Sequence, residues 1–397
     1  MTDLSSRVPK ATQTPACLVC GSNEPGIVVG TRGRFGMAVT NVVCPRCSLC
    51  YQSPRPSEEA MAAYYGGAYR EHYGSVGHQS DTGGTHLPGT SEFDASVEAW
   101  HQNQASNSVH MGELRLGQRV LEVGCRSART LCLLRDSVGI VPFGVEPGSE
   151  QAEEARALGV DCFTGLIEDL PAPPHKFDQI QMFHVLEHIH DPLAALLRLR
   201  DWLVPGGRLL IEVPNVLQPY GSLEGNFFQN AHLTNFSYVT LEALLTRAGF
   251  VTKKRVDETA LLVLATVSAH ASSELPLPFT AQRLEHEPAW IVDCLATYGA
   301  LEEIRRVIRT NGIGMEALEA LIEVVGRPAF VPHLIDVVSE VAEGLVEHEA
   351  PRAAAALVDA AARGPHPAEI TEGLRGFAVK LMKLSGQTDG QRVSATG

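Results

Sequence analysis

Two pairs of cysteines, Cys17 with Cys20 and Cys44 with Cys47, are each separated by two residues. That spacing lets two backbone turns each offer a pair of thiolates to one ion, and four sulfurs at about 2.3 Å form a closed tetrahedral zinc site. Buried free thiols and a redox pair are the alternative readings. Cys50 lies three residues beyond Cys47 and could compete as a ligand, but its strand-like surroundings, "LCYQSPRP", favour a packing role. Five of the nine cysteines fall within the first 50 residues, and such clustering in a cytosolic chain points to metal rather than disulfides. The N-terminus, "MTDLSSRVPKATQTPAC", lacks an apolar leader, and no run approaches the roughly 18 apolar residues of a spanning helix. A cytoplasmic protein without membrane contact is expected.

The second set of chemically useful residues lies in "LEVGCRSART", Leu121 to Thr130, and in "GVEP", which follows some 20 residues later. An apolar strand ending at Glu122, a turn at Gly124 into a helix, and a second strand ending at Glu146 give the arrangement of a ribose-binding half-fold. The turn brings backbone close to a ligand, and the second carboxylate accepts from two ribose hydroxyls. Arg126 and Ala128 occupy positions where a glycine-rich loop carries further glycines. An extra methyl at Ala128 is tolerable, whereas the Arg126 side chain needs an exit from a place where backbone approaches a ligand. His184, Glu187 and His188 in "HVLEHIHDP" match H-x-x-E-H, a zinc-peptidase spacing that needs one continuous helix. The first histidine here ends an apolar strand, which argues against that reading.

Residues so placed require a regular scaffold. From Gln118, apolar runs ("RVLEVGC", "VPFGVEP", "VDCFTG", "FDQIQMFHV", "GRLLIEVPN") alternate with helical segments ("ARTLCLLRDS", "SEQAEEARALG", "PLAALLRLRDWLV"). This alternation predicts an α/β domain whose parallel sheet is covered on both faces. Pro205, Gly206 and Gly207 predict a helix stop and a turn before the next strand. "TLEALLTRAG", "FVTKKRVDE" and "LLVLATVS" complete the unit. The expected organisation is a flexible N-terminus over 1–15, a zinc ribbon over 16–56, a connector with lid helices over 57–117 and a Rossmann-like domain over 118–270. A helical region over 280–385 and a disordered tail over 386–397 follow. The helical region shows three to five amphipathic stripes with Pro and Gly breaks, and no motif that carries chemistry.

The order "LEVGC", "GVEP", "EDLP", "FDQIQMFHVLEHIHDP", "LVPGGRLLIEVPN" and "LEALLTRAGF" resembles class I S-adenosylmethionine (SAM)-dependent methyltransferases over about 150 residues. With the cysteine pairs and "HLTNFS", the chain is similar to the zinc-ribbon-bearing branch that includes deoxysugar C-methyltransferases and other enzymes of sugar and secondary-metabolite pathways. The resemblance implies that Gly124, Cys125, Arg126 and Ala128 run along the methionine half of SAM. It implies that Glu146, with Pro147 after it, holds the ribose and that Ile167 and Glu168 lie beside the adenine. Phe183 and His184 close over the cofactor, while Glu187 and His188 line the acceptor side. Leu166 stands where many relatives carry an Asp that bonds the adenine amino group. His232 resembles the catalytic histidine of an H-E-H-x-x-[YF]-[FY]-S-like segment, although Asn230 and Ala231 replace its first two residues. A neutral imidazole suits a base that removes a proton from an acceptor carbon or hydroxyl. The Tyr-rich "YYGGAYREHY" reads either as a lid over the acceptor or as ordinary aromatic packing.

A length of 397 residues admits more than one domain, since single cores stop growing at roughly 250 to 300 residues. The formal charge of −14 opposes attraction to phosphate backbones, so nucleic acid is not the expected partner. The expected activity is His-assisted methyl transfer from SAM to a small sugar-like or secondary-metabolite acceptor. The rival reading is a non-catalytic scaffold whose ribbon and helices bind a protein partner. The amphipathic C-terminal helices offer a surface on which copies of the chain could associate.

Overall fold

The computed structural model describes residues 9–66, 69, 78–79, 85–86, 91–268, 287–325, 327, 333–347, 350–363 and 371–381. The first half of the expected flexible N-terminus, much of the expected lid between 67 and 90, most of the linker before 287 and the C-terminal tail lie outside these residues. The chain divides into two compact units, Met1–Pro219 with Glu224–Arg283, and Tyr220–Leu223 with Leu284–Gly397. No helix among the described residues is long and apolar enough to cross a membrane.

The first unit begins with strands β1 (Ile27–Arg32), β2 (Ala38–Val43) and β3 (Cys50–Gln52), then helix α1 (Glu58–Tyr65), the short pair β4 (His78–Gln79) and β5 (Thr85–His86), and the long helix α2 (Ser91–His110). There follow β6 (Arg119–Val123), α3 (Arg129–Val138), β7 (Val141–Glu146), α4 (Ser149–Ala157), β8 (Asp161–Thr164), β9 (Phe177–Phe183), α5 (Pro192–Trp202) and β10 (Leu203–Pro214). The unit closes with β11 (Thr234–Asn235), α6 (Tyr238–Arg247), β12 (Phe250–Asp257) and β13 (Ala260–Val267).

Seven strands form one sheet in the order β12-β13-β10-β9-β6-β7-β8. β8, β7, β6, β9 and β10 pair in parallel, and β13 runs antiparallel between β10 and β12. The chain steps outward from β6 to β8 and returns to β9 on the other side of β6. Such a reversal leaves a crevice at the carboxyl ends of β6 and β9, where ligands of open α/β sheets bind. The apolar runs become strands because helices cover both faces and leave almost no water contact: Val120 to Val123 are all buried. The turn expected at Gly206 and Gly207 lies inside a strand. Helix α5 ends at Trp202, but β10 is continuous from Leu203, and Gly206 at φ +76° absorbs a register shift between Leu203 and Arg208.

β9 alternates by face. Ile180 and Met182 join the main apolar core, whereas Gln179 and Gln181 point to α2 and are wholly buried. A polar string crosses that layer: the Ser108 hydroxyl donates to Gln181 Oε1 at 2.9 Å, and Gln181 Nε2 donates to Glu122 Oε2 at 2.7 Å. Burial pushes the Glu122 carboxyl up to about 8 despite that bond.

The cysteine-rich segment is not a free-standing ribbon. Its strands form the sheet β1-β2-β3-β11, in which Thr234 and Asn235 pair with Tyr51 and Cys50. Cys50 is buried in β3 and packs, as its strand-like setting predicts. Leu49 and Tyr51 share one apolar cluster with Ile180 and Leu241. Gln52 Nε2 donates to the carbonyls of Gln229 at 2.7 Å and His232 at 2.8 Å, fixing the loop that leads into β11. Helix α6 then starts from a capping box between Ser237 and Thr240.

The second unit contains α7 (Pro288–Asn311), α8 (Met315–Val325), α9 (His333–Glu347) and α10 (Pro351–Ala361), with a further helix over 371–381. Pro288 and Pro351 open their helices, where a missing N–H costs nothing. Leu321, Val338, Leu357 and Val358 lie on buried stripes, as the amphipathic patterns predict.

Two stability measurements test this construction. Gln52→Ala removes the side-chain donor shared by the Gln229 and His232 carbonyls and is expected to lower the urea-unfolding free energy by about 1–3 kcal/mol; an unchanged midpoint would show the loop to be held otherwise. Folded Glu122 keeps its proton where an unfolded carboxyl has lost it, so its contribution is complete below about pH 4.5 and is lost as pH rises toward about 8. Relative to Glu122→Gln, the wild-type chain should therefore lose stability across that window, at up to roughly 1.4 kcal/mol per pH unit. A pH-independent difference between the two proteins contradicts this.

Candidate functional site

The turn after β6 contains three residues in the left-handed region: Gly124 at φ +74°, Arg126 at +51° and Ala128 at +57°. The two departures from glycine thus occur at positions whose backbone favours glycine, at a cost of roughly 1–2 kcal/mol each. The turn holds because its amides are satisfied. Gly124 and Cys125 N–H donate to the Val145 carbonyl, Arg126 N–H to Glu146 Oε2, and Ala128 N–H to the Cys125 carbonyl. The Arg126 guanidinium lies over the Trp100 ring of α2, 5.2 Å from its centroid, which is the exit its side chain requires. Ala128 is fully buried and precedes the first turn of α3. The Cys125 thiol is buried 3.7 Å from Cys162 Sγ.

Glu146 ends β7 beside this turn. Its Oε2 accepts from Arg126 N–H at 3.0 Å and its Oε1 from Gly148 N–H at 2.9 Å. A cavity of about 470 Å³ opens here, bordered by Gly124, Arg126, Val145, Glu146, Pro147 and Ile167, with Leu166 and Glu168. That volume falls within the range of small-molecule sites. Phe183, His184 and His188 line it after β9, and Met61, Tyr65 and Tyr69 line it too, the two tyrosine rings edge-on to His188.

β9 ends at Phe183, His184 takes a left-handed φ of +55°, and Leu186–His188 form a short 3-10 turn. The H-x-x-E-H stretch is therefore no continuous helix, as its strand-ending histidine predicts. His184 Nε2 lies 3.2 Å from Glu212 Oε1, and its Nδ1 lies 3.5 Å from Glu187 Oε1. Burial opposes a charge on His184, but the two carboxylates outweigh it and hold the imidazole up to about 10. His188 Nδ1 is 2.9 Å from the Ala231 carbonyl and so carries the proton, which directs the Nε2 lone pair elsewhere. The Tyr65 hydroxyl sits 3.2 Å from the same Nδ1. His232 packs edge-on against His188, with ring centroids 4.9 Å apart. Burial lowers both imidazoles, His232 to about 3, so each is neutral near pH 7.

The four cysteine sulfurs also converge. All lie within 4.8 Å of one another, with Cys17 and Cys47 at 3.3 Å and Cys20 and Cys44 at 3.6 Å. A tetrahedron with sulfur 2.3 Å from its centre has edges of about 3.8 Å. The spacing fits one ion of that kind.

Of the residues singled out from sequence, Gly124, Arg126, Glu146, Pro147, Ile167, Glu168, Phe183, His184 and His188 meet on the cavity wall. Glu122 lies in the polar string beneath it, Cys125 and Ala128 within the turn, and His232 behind His188. Sequence reading did not foresee Gln52 or Met61. Tyr65 and Tyr69 were signalled only by the Tyr-rich patch.

Residues 99–254 match a family described as a methyltransferase domain. An uncharacterized methyltransferase of Schizosaccharomyces pombe is 27% identical over 149 residues, covering 32% of this chain and 51% of that protein. The tRNA U34 carboxymethyltransferase of Methylococcus capsulatus is 31% identical over 157 residues, covering 36% and 47%. The ubiquinone biosynthesis O-methyltransferase of Cereibacter sphaeroides is 33% identical over 105 residues, covering 25% and 42%. The chain spans about half the length of the curated relatives it matches or less. Six parallel strands with an antiparallel strand inserted before the last, a glycine turn and a carboxylate at the switch point, and the family match converge on one conclusion: residues 99–254 are a class I SAM-dependent methyltransferase domain.

Proposed function

We propose that the protein transfers a methyl group from SAM to a small, sugar-like or secondary-metabolite acceptor. The observation that carries this reading is the single cavity of about 470 Å³ in which the Gly124 turn and Glu146 share walls with His188, Tyr65 and Tyr69. One cavity would thus take both donor and acceptor. Its size and the formal charge of −14 favour a small acceptor over a nucleic acid.

Bound SAM supplies an electrophilic methyl on a sulfonium sulfur. Glu146 accepts from the ribose hydroxyls, while Val145, Leu166 and Ile167 give the adenine an apolar slot. Backbone of the Gly124–Ala128 turn follows the methionine half, and Phe183 and His184 limit the cavity beside it. The aromatic wall of Tyr65 and Tyr69 excludes water and aligns the acceptor, so that catalysis rests chiefly on proximity. The proton released by the acceptor is taken up at Glu187, His188 and His232. His188 faces the cavity and His232 supports it from behind.

In the same reading, Cys17, Cys20, Cys44 and Cys47 hold a structural zinc ion that fixes the small sheet and, through Gln52, the loop bearing His232.

Calorimetric titration is expected to show one SAM per chain, weakened at least tenfold by Glu146→Ala. His188→Asn and His232→Asn should lower kcat by 10²-fold or more while leaving SAM affinity within about twofold. Failure of the folded, zinc-loaded protein to bind SAM overturns the reading in favour of a scaffold. Full turnover in both histidine variants removes them from the mechanism.

A further inference from the structure

We propose that Glu187, His188 and His232 form a binding site for a first-row transition dication, zinc foremost, at the acceptor end of the cavity. One ligand atom from each residue lies within 4.8 Å of the others. The three groups are rich in lone pairs and poor in protons to share. Glu187 is 1% exposed, and among the described residues neither of its carboxylate oxygens has a hydrogen-bond partner. The charged His184 stands 3.5 Å from Oε1 as an ion-pair partner and is shared with Glu212, so it leaves Oε2 without a partner among the described residues. His232 is 5% exposed, and its Nδ1 is buried without a partner among the described residues. His188 donates from Nδ1 to the Ala231 carbonyl, so its Nε2 presents a lone pair 3.8 Å from Glu187 Oε1.

A lone pair facing a buried carboxylate oxygen is repulsive unless an electron-pair acceptor lies between them, and the ion pair to His184 still leaves the Glu187 carboxylate without a hydrogen bond among the described residues. A dication satisfies all three groups at once. Two imidazoles and one carboxylate are the donor set that zinc and its neighbours prefer. The Nδ1–H bond from His188 to a backbone carbonyl is the outer contact that orients a ligating histidine. Ligand atoms around such an ion lie about 3.4 Å apart, so an inward shift of about 1 Å closes the set. The set differs from H-x-x-E-H because His184 is occupied elsewhere and His232 takes its place.

Three protein ligands leave one position open, and His188 lies on the cavity wall. That position suits an oxygen or nitrogen of the acceptor, whose proton becomes more acidic on the ion; with the ion bound, the three residues act as its ligands and the proton passes to water instead of to them. The inference deepens the methyl-transfer reading and rests on it only for this role, because metal binding is measured without SAM or acceptor.

The test is titration of the zinc-loaded protein with Co²⁺ alone, read by visible absorption. One added equivalent giving ligand-field bands without the sulfur-to-cobalt charge transfer of a thiolate site is expected. Glu187→Gln, which keeps the side-chain shape, and His232→Asn should each weaken that binding at least tenfold, with SAM affinity by calorimetry reporting that the variants are folded. Absence of these bands in the wild-type protein, or equal affinity in folded Glu187→Gln, overturns the site. SAM binding without cobalt binding sinks this inference alone, whereas loss of SAM binding by the wild type sinks the methyl-transfer reading and leaves the cobalt result to stand or fall by itself.

Discussion

The reversal of chain direction at β6 is the constraint on which the remaining architecture depends. Because the chain moves outward through β7 and β8 and then restarts at β9 on the other flank, the covering connections diverge there. Three groups on the cavity wall come from the carboxyl ends of strands beside that gap: Gly124 after β6, Glu146 at the end of β7, His184 after β9. The strained turn at Arg126 and Ala128 is tolerable in this position because its amides find acceptors on the adjacent β7.

The acceptor side depends on a second, smaller layer. The cysteine-bearing strands do not decorate the sheet; they place Gln52 under the carbonyls of Gln229 and His232 and supply β3 as the partner of β11. Rigidity near the four sulfurs therefore reaches the imidazole pair through only a few hydrogen bonds. A cluster as electron-rich as Glu187, His188 and His232 needs such support, since nothing within it resists mutual repulsion.

Much of this was legible in the primary structure, for identifiable reasons. The strands from β6 to β10 were visible because both their faces are buried, which leaves apolar runs bounded by turns. Glu146 and Gly124 were visible because local geometry at strand ends fixes their spacing. The cysteines were visible because a tetrahedral site needs close pairs. What escaped was long-range. Gln52 and His232 are 180 positions apart, and no periodicity relates them. β11 is two residues long, too short for any pattern, and Gln179 and Gln181 look like solvent-facing residues until α2 is laid over them. The Glu187–His188–His232 cluster was hidden similarly, since its third member arrives from another loop.

The completion of the small sheet by Thr234 and Asn235 bears on how the chain is made. At about 5–20 residues per second, the ribosome needs roughly ten to forty seconds to advance from Gln52 to His232. For most of that interval, once β3 has emerged, it exposes an unpaired edge. Any metal captured early would organise the turns but could not finish the sheet. The N-terminal segment is thus a part that waits for the rest of the polypeptide, and truncation before β11 would leave a sticky edge rather than a miniature domain.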